Sequence, residues 1–291
     1  MQHLKSIFHL LLLVLFGSIH NGCELINPEE KIPSFLRIDS ISLAVLIDEG
    51  ATDANFVDAR VFANEQLIGV YELPAIIPIL EEGETSIRIQ AGIKMNGQAT
   101  TRVAYPFVKD FEADMSLFPD STVHVNPVVG FRPDIEFAWL ENFEGAGLSL
   151  EKTVVSEADI VRVGGEEAFD EQSIKLSLAP NQTFFECRKG DAIQLPGGGA
   201  PVYLDFTYRC NHAFVVGLFS RDGTGTFTIP ILLLNPTEEW NHVYLNLTSI
   251  ISSNPAFIDH RPYFGFARES GFEDQINVYI DNIRLLKPDE P

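Results

Sequence analysis

Cysteine, tryptophan and methionine are scarce, with 3, 2 and 3 copies in 291 residues, and basic side chains are outnumbered, 20 Lys and Arg against 41 Asp and Glu. So few cysteines exclude a disulfide-stapled scaffold and the paired Cys motifs of zinc sites. A net charge of -21 opposes nucleic acid and anionic lipid, since neutralising phosphates requires clustered Lys and Arg. No apolar stretch of about 18 residues follows the N-terminal one, so no later segment reads as a membrane-spanning helix. Catalytic signatures are missing as well: there is no His-Glu-x-x-His, no Gly-x-Ser-x-Gly and no phosphate-binding Gly loop. Gly197-Gly198-Gly199-Ala200-Pro201 leads into strand-like sequence, which presents no helix N–H groups to a phosphate. His124, His212, His242 and His260 show no ligand spacing, and the Glu-x-Asp-x-x-Glu strand of some sugar-cleaving sandwiches does not occur. The expectation is a protein that is not an enzyme.

What is present is a chain 45% hydrophobic and 11% aromatic, too apolar for disorder and long enough for about two domains. It begins with Lys5, an apolar run from Ile7 to Ile19, and then Asn21-Gly22-Cys23. That order of parts is a signal peptide. A small residue directly before a single cysteine looks like a bacterial lipobox, although His20 stands where such a box usually has Leu. The resemblance implies cleavage after residue 22 and acylation of Cys23 by chains such as palmitate, which anchor a protein to the outer membrane at about 0.8 kcal/mol per buried methylene. An ordinary secretory signal followed by a chance cysteine is the other reading. Residues 23–31 then form an acidic tether. Its Glu24, Glu29 and Glu30 resemble the export signals of Bacteroidota-type surface lipoproteins, and read equally as a solvated spacer.

From Ile32 onward apolar residues recur with period two and nowhere sustain a 3.6-residue period, so the chain reads as all-β. Val57–Val61, Ser86–Ala91 and Phe111–Leu117 alternate cleanly, each predicting a strand with one wet face. Turn chemistry falls between them, with Asn96-Gly97 the strongest hairpin signal. Residues 32–131 form the first sandwich. The Pro-punctuated Asn126–Pro133 marks its end, residues 132–287 form a second domain, and 288–291 are a tail. Val61–Pro74 resembles the strand, turn, strand unit of PEGA-like and other Ig-like modules of cell-envelope proteins. In the second domain, Glu141-Asn142-Phe143-Glu144-Gly145, Trp240–Leu245 and Val278–Leu285 resemble the galactose-binding-like jelly roll of carbohydrate-binding modules. Function does not travel with that fold, because many such sandwiches only hold other proteins together.

The jelly-roll resemblance implies a structural Ca²⁺ where first and last strands meet, held here by Glu144 and Asp281 with backbone carbonyls and water completing the shell. A pair of solvated turn acids is the alternative. It also implies a glycan platform, for which Tyr203, Tyr244, Tyr263 and Trp240 are the candidates. The 22 Phe against 7 Tyr suit a buried core better than a wet sugar surface. Cys187 and Cys210, on strands expected to be neighbours, read either as a disulfide or as two buried thiols. Two functions follow from the sequence. The first is a lipid-anchored envelope lipoprotein of the outer membrane, exposed on the cell surface if the tether is an export signal, that binds envelope proteins or serves as a structural module. The alternative is a surface lipoprotein that binds polysaccharide and presents it to other envelope proteins.

Overall fold

The structure, a computed structural model, describes residues 30–289. The proposed signal peptide, Cys23 and most of the acidic tether lie outside the described residues. The chain is all-β. Its first ten strands are β1 (Ser34–Ile38), β2 (Ser42–Ala44), β3 (Asp58–Ala63), β4 (Gln66–Glu72), β5 (Ala75–Ile79), β6 (Gly83–Lys94), β7 (Arg102–Ala104), β8 (Phe111–Leu117), β9 (Thr122–Val125) and β10 (Val128–Gly130). The remainder are β11 (Ile135–Glu141), β12 (Leu150–Lys152), β13 (Ile160–Gly164), β14 (Gln172–Leu178), β15 (Phe184–Lys189), β16 (Tyr203–Cys210), β17 (Phe214–Arg221), β18 (Thr226–Leu234), β19 (Thr237–Asn246), β20 (Asp259–Ala267) and β21 (Ile276–Pro288), with a short helix α1 (Thr248–Ser252) before β20.

In the first sandwich a sheet ordered β4-β3-β6-β7, with β8 also on β6, shares a core with β5-β1-β9 and the short pair β10-β2. Strand β6 shows why. Thr85, Ile87, Ile89 and Ala91 point inward and are buried, while Glu84, Ser86, Arg88 and Gln90 alternate outward. Leu36, Ile38, Ile77 and Ile79 meet them from the facing strands and are fully buried. Asn64 and Glu65, both at positive φ of 47° and 64°, turn β3 into β4, the backbone hand that matches strand twist in a two-residue hairpin.

The second sandwich is a jelly roll of two facing sheets. One has six strands, β13-β14-β21-β16-β19 with β11 on the far part of β21; the other has five, β12-β15-β20-β17-β18. Phe185, Phe206, Phe214 and Phe264 are fully buried between them. This is where much of the phenylalanine excess resides.

The outer face of the six-stranded sheet is not left to solvent. Along β16 the outward row is Tyr203, Asp205, Thr207 and Arg209; along β19 it is Asn246, Tyr244, His242 and Trp240. The first sandwich covers the leading part of both rows: Tyr203, Tyr244 and Leu286 belong to its core cluster. The covered region is also charged. Arg284, 1% exposed, donates from Nε to Asp205 Oδ1 at 2.7 Å, from Nη1 to the Ala51 carbonyl at 3.0 Å and from Nη2 to the Asp53 carbonyl at 2.9 Å. The Tyr105 hydroxyl donates to Asp205 Oδ2 at 2.7 Å. His242 lies between Asp53 Oδ2 at 3.1 Å and Asp205 Oδ1 at 3.2 Å, and Thr207 bonds Asp53. Loop 51–55 and Tyr105 of the first sandwich are thereby bound to three strands of the second.

These groups are tuned by one another. Burial alone disfavours charge on His242, but its hydrogen bonds and charge pairing with Asp205 and Asp53 outweigh burial and raise its pKa above the ordinary 6.5. Burial likewise works against the Asp53 anion, yet His242, Arg284 and Thr207 hold it down to about 2. The folded chain therefore keeps the His242 proton more tightly than the unfolded chain does. The resulting stability is full below about pH 6.5 and is lost as pH rises through the higher folded value. Asp53 acts in the opposite sense, contributing above its ordinary 3.8 and losing that contribution as pH falls toward about 2. Urea midpoints measured from about pH 5 to pH 10 should fall on the alkaline side in the wild type. His242→Gln should be less stable near pH 6 and should lose that alkaline decline; a variant with the same slope as wild type would refute the assignment.

Candidate functional site

The cover over the six-stranded sheet ends between His242 and Trp240 on β19, and between Thr207 and Arg209 on β16. Beyond that line the same outward rows reach solvent. Arg209 pairs across the strands with Tyr279 of β21, which in turn pairs with Lys175 of β14. Arg209 and Tyr279 line a surface cavity of about 560 Å³ together with Asn211, Thr237, Glu238 and Asn277, within the size range of ligand sites.

One aromatic ring, that of Tyr279, lines it, and Trp240 stands against the Arg209–Tyr279 wall. The Arg209 guanidinium lies 5.2 Å from the Trp240 ring centre and 4.8 Å from that of Tyr279. Trp240 meets Phe169 edge-on at 5.5 Å and Tyr279 at 6.2 Å. Such contacts fix ring planes while leaving Trp240 and Tyr279 half-exposed and Phe169 38% exposed. The Tyr279 hydroxyl donates to Glu167 Oε1 at 2.8 Å, and Lys175 Nζ donates to the same oxygen at 2.6 Å. The Lys175 bond first, and then that of Tyr279, lowers the Glu167 pKa below the ordinary carboxylate range. Arg209 reaches only the Glu167 backbone carbonyl, at 3.5 Å. Asn211 donates to the Gln275 carbonyl at 2.9 Å and accepts from the Asn277 N–H at 2.8 Å, which braces one wall. Half-exposed rings beside braced amides can stack on an apolar ring face and hydrogen-bond the hydroxyls around it.

The sequence-derived platform is corrected in three of its four members. Tyr203 and Tyr244 are 5% and 2% exposed, because their rings pack on Tyr105 of the first sandwich at 6.0 and 4.8 Å. Tyr263, 4% exposed, lies in the other sheet against Phe219 at 4.8 Å and fills the space beside Gly217, where a β-carbon would come within 2.5 Å of its ring. Only Trp240 lies near the cavity, packed on its lining residues Arg209 and Tyr279 without itself being among them. Its partners Phe169, Arg209 and Tyr279 were missed. Tyr279 alternates with buried Val278 and Ile280 and could be read as outward-facing, but nothing in the sequence says that this stretch of outer face stays open.

Cys187 and Cys210 are both free and buried. The expectation that their strands are neighbours is overturned: β15 lies in the five-stranded sheet and β16 in the six-stranded one. The Cys210 thiol donates to the Asn235 carbonyl at 3.6 Å. Burial pushes both thiols up, Cys210 to about 11 and Cys187 further.

The carboxylates expected to hold Ca²⁺ end on adjacent residues. Glu144 Oε1 accepts from the Gln172 N–H at 2.8 Å, and Asp281 Oδ2 accepts from the Ser173 hydroxyl at 2.5 Å. Asp281 Oδ1 accepts from the Asn282 N–H at 2.8 Å, and the Asn282 amide donates to Asp170 Oδ2 at 2.9 Å. Burial, with the nearby Asp170 charge adding to it, raises Asp281 to about 7. The buried Asn282 Oδ1 has no hydrogen-bond partner. Among the described residues no three His, Cys, Asp or Glu side chains gather into a metal cluster.

No family model and no curated protein matches the chain. Solved structures do. A carbohydrate-binding module of the β-sandwich superfamily aligns over 89% of this chain and 99% of its own, at 14% identity and a TM-score of 0.37. The family 11 carbohydrate-binding module from Clostridium thermocellum, in complex with a β-1,3-1,4-mixed-linked tetrasaccharide, aligns over 50% and 92%, at 14% identity and a TM-score of 0.34. The enzymatically active domain of bacteriophage CBA120 tailspike protein 4 aligns over 47% of this chain but only 18% of its own, at 13% identity and a TM-score of 0.37. At these identities and TM-scores the likeness carries no argument about a ligand, which has to come from the site.

A direct check on the cysteine assignment is thiol accessibility in protein beginning at residue 24. The folded protein should resist maleimide, and guanidinium without reductant should expose two reactive thiols per chain. Absence of reactive thiol in denaturant would restore the disulfide.

Proposed function

We propose that the protein is a non-catalytic glycan-binding module, and that the cavity lined by Arg209 and Tyr279, with Trp240 packed on both, is where the sugar sits. The observation that carries this reading is the set of half-exposed rings held by Arg209 beside the amides of Asn211 and Asn277. An aromatic face takes the apolar face of a pyranose, and amides supply both donors and acceptors to its hydroxyls. The docking of envelope proteins, which the sequence put first, has no comparable constellation in its favour. Glu238 is the one carboxylate among the residues lining the cavity, whereas glycoside hydrolysis ordinarily needs a pair.

Two further parts of the proposal extend the sequence reading. Acylation at Cys23 would hold the module on the outer membrane, with the acidic residues behind it as a spacer or export signal. In place of the Glu144–Asp281 pair read from the sequence, a structural Ca²⁺ would be held by Asp281 with the neighbouring Asn282 side-chain oxygen and Asp170, while Glu144 accepts from the Gln172 N–H and braces the adjoining strand. The fit rests on the unpartnered Asn282 oxygen and on a carboxyl whose charge is disfavoured by burial, since a cation would relieve both.

In affinity electrophoresis against a panel of plant and algal polysaccharides, the wild type should be retarded by at least one glycan and should leave all of them uncut. Trp240→Ala should weaken that retardation at least tenfold, equivalent to about 1.4 kcal/mol, in protein that still unfolds cooperatively above the assay temperature. Free passage of the wild type through every gel would overturn the glycan reading, and cleavage would overturn the non-catalytic one. For calcium, the thermal midpoint of chelator-treated protein should rise on adding Ca²⁺, and Asp281→Ala should abolish the response. An equal response in that variant would remove Asp281 from the site.

A further inference from the structure

The cavity beside Trp240 does not end at its own walls. A second cavity, of about 470 Å³, shares Pro236 and Thr237 with it. The two meet at the turn between β18 and β19, the first over the outward row of β16 and the second at the edge of the sandwich, beside the inward-facing Tyr208 and Val243. The second cavity is lined on the jelly-roll side by Tyr208, Asn235 and Asn241, and on the other side by Asn96, Gly97 and Gln98 of the first sandwich.

That hairpin tip is fixed in place. Asn96 and Gly97 have positive φ of 55° and 67°, the conformation that the Asn-Gly pair adopts readily in a tight turn. The Asn96 N–H donates to the Tyr244 carbonyl at 2.8 Å, and Asn96 Oδ1 accepts from the Asn246 N–H at 2.8 Å. Met95 bridges to Tyr244 as a parallel strand neighbour. A β-carbon on Gly97 would reach within 3.9 Å of Val243, so the tip lies directly against β19. Gln98 follows it, exposed, with its Oε1 accepting from the Thr101 hydroxyl at 3.3 Å; its amide N–H groups project from a turn that is already braced.

The charge pattern of the two cavities differs from that of the chain. Against 41 acidic and 20 basic residues overall, their lining holds one of each, Arg209 and Glu238, and otherwise combines amides, hydroxyls and rings with an apolar stretch of Leu232, Leu233, Leu234, Pro236 and Val243. An anionic chain would meet the field of a protein at -21 with one exposed cation to set against it. A cationic one would find one carboxylate. Amides and hydroxyls set among apolar side chains suit a ligand that presents hydroxyls around apolar ring faces and carries no charge.

We infer that the two cavities form one groove, bent over that turn, which takes an extended, uncharged oligosaccharide that spans both sandwiches, with Gln98 of the first sandwich contacting sugar units beyond those held at Trp240. This deepens the glycan reading and rests on it. The first sandwich then sets the length of chain recognised, and is more than a spacer.

The test is calorimetric titration with neutral oligosaccharides of two and six units cut from whichever polysaccharide retards the protein, using the chain from residue 24. The six-unit ligand should bind at least tenfold more tightly than the two-unit one. Gln98→Ala, an exposed change, should weaken the six-unit ligand about five- to tenfold, the scale of a lost hydrogen bond or two, and leave the two-unit ligand unchanged. Trp240→Ala should weaken both. Equal affinity for the two lengths, or a Gln98→Ala variant that matches wild type on the longer ligand, would overturn this inference while the site at Trp240 stands. Tighter binding of a carboxylated form of the six-unit ligand would overturn the uncharged assignment. Binding of no oligosaccharide at all would bring down the glycan reading and this inference with it.

Discussion

The organisation of the molecule depends on a guanidinium buried where two sandwiches meet. Taking Arg284 out of water carries a penalty of several kcal/mol that only good geometry can offset. Here the offset comes from both sides of the seam: Asp205 on the neighbouring strand, and the carbonyls of Ala51 and Asp53 on a loop of the first sandwich. Tyr105 and His242 then satisfy what remains of the Asp205 carboxylate. Lifting the first sandwich away would leave Arg284, Asp205 and His242 on an open sheet face, together with the apolar rings of Tyr203 and Tyr244. The two sandwiches have separate cores but share this one set of charges, so neither surface is complete without the other.

That seam also decides where the site can be. Outward rows on β16 and β19 run continuously from the covered region to the open one, because side chains on a strand alternate faces and every second residue stays on the same side. Tyr203, Asp205 and Thr207 are covered, and Arg209 is not; Tyr244 and His242 are covered, and Trp240 is not. The change from buried polar network to half-exposed aromatic surface takes a single step along each strand. Rigidity is inherited in the same way. Arg209 follows, and Trp240 precedes, strand residues that are locked in the seam, which holds ring planes steady without a dedicated loop.

Much of the strand pattern was legible because it follows from one-sided burial. Phe111–Leu117, Ser86–Ala91 and Val57–Val61 alternate, and each lies within a strand of the structure: β8, β6 and β3, with only Val57 just ahead of β3. The platform was less legible for a related reason. Alternation tells which residues leave the core of their own sheet, but not whether water or another domain meets them on the outer side. Tyr203 and Tyr244, put forward as platform rings, do leave the core of their own sheet, but there they meet Tyr105. Tyr263 fails differently, lying flat in the space left by Gly217, a packing relation between strands β17 and β20 that are far apart in sequence. The cysteines show the same limit. Closeness in sequence suggested neighbouring strands, whereas the jelly roll sends β15 and β16 to opposite sheets. Arg209 was invisible because its role comes from Tyr279, seventy residues away along the chain and adjacent in the sheet.

The distribution of charge completes the relation between seam and groove. The excess of acidic residues is set against few cations, and the most deeply buried of these, Arg284, is consumed in joining the sandwiches. Arg209 faces two aromatic rings, where a guanidinium gains from the negative ring face and at the same time orients it. A groove built this way has little net charge with which to attract a ligand over distance. Recognition within it has to come from ring stacking and from the directions in which fixed amides point, both short-ranged and both dependent on the ligand's shape. Those directions are fixed by backbone contacts across the seam, such as the one holding Asn96 to Tyr244. The same buried charges that join the two sandwiches therefore also hold the two walls of the groove at a constant separation.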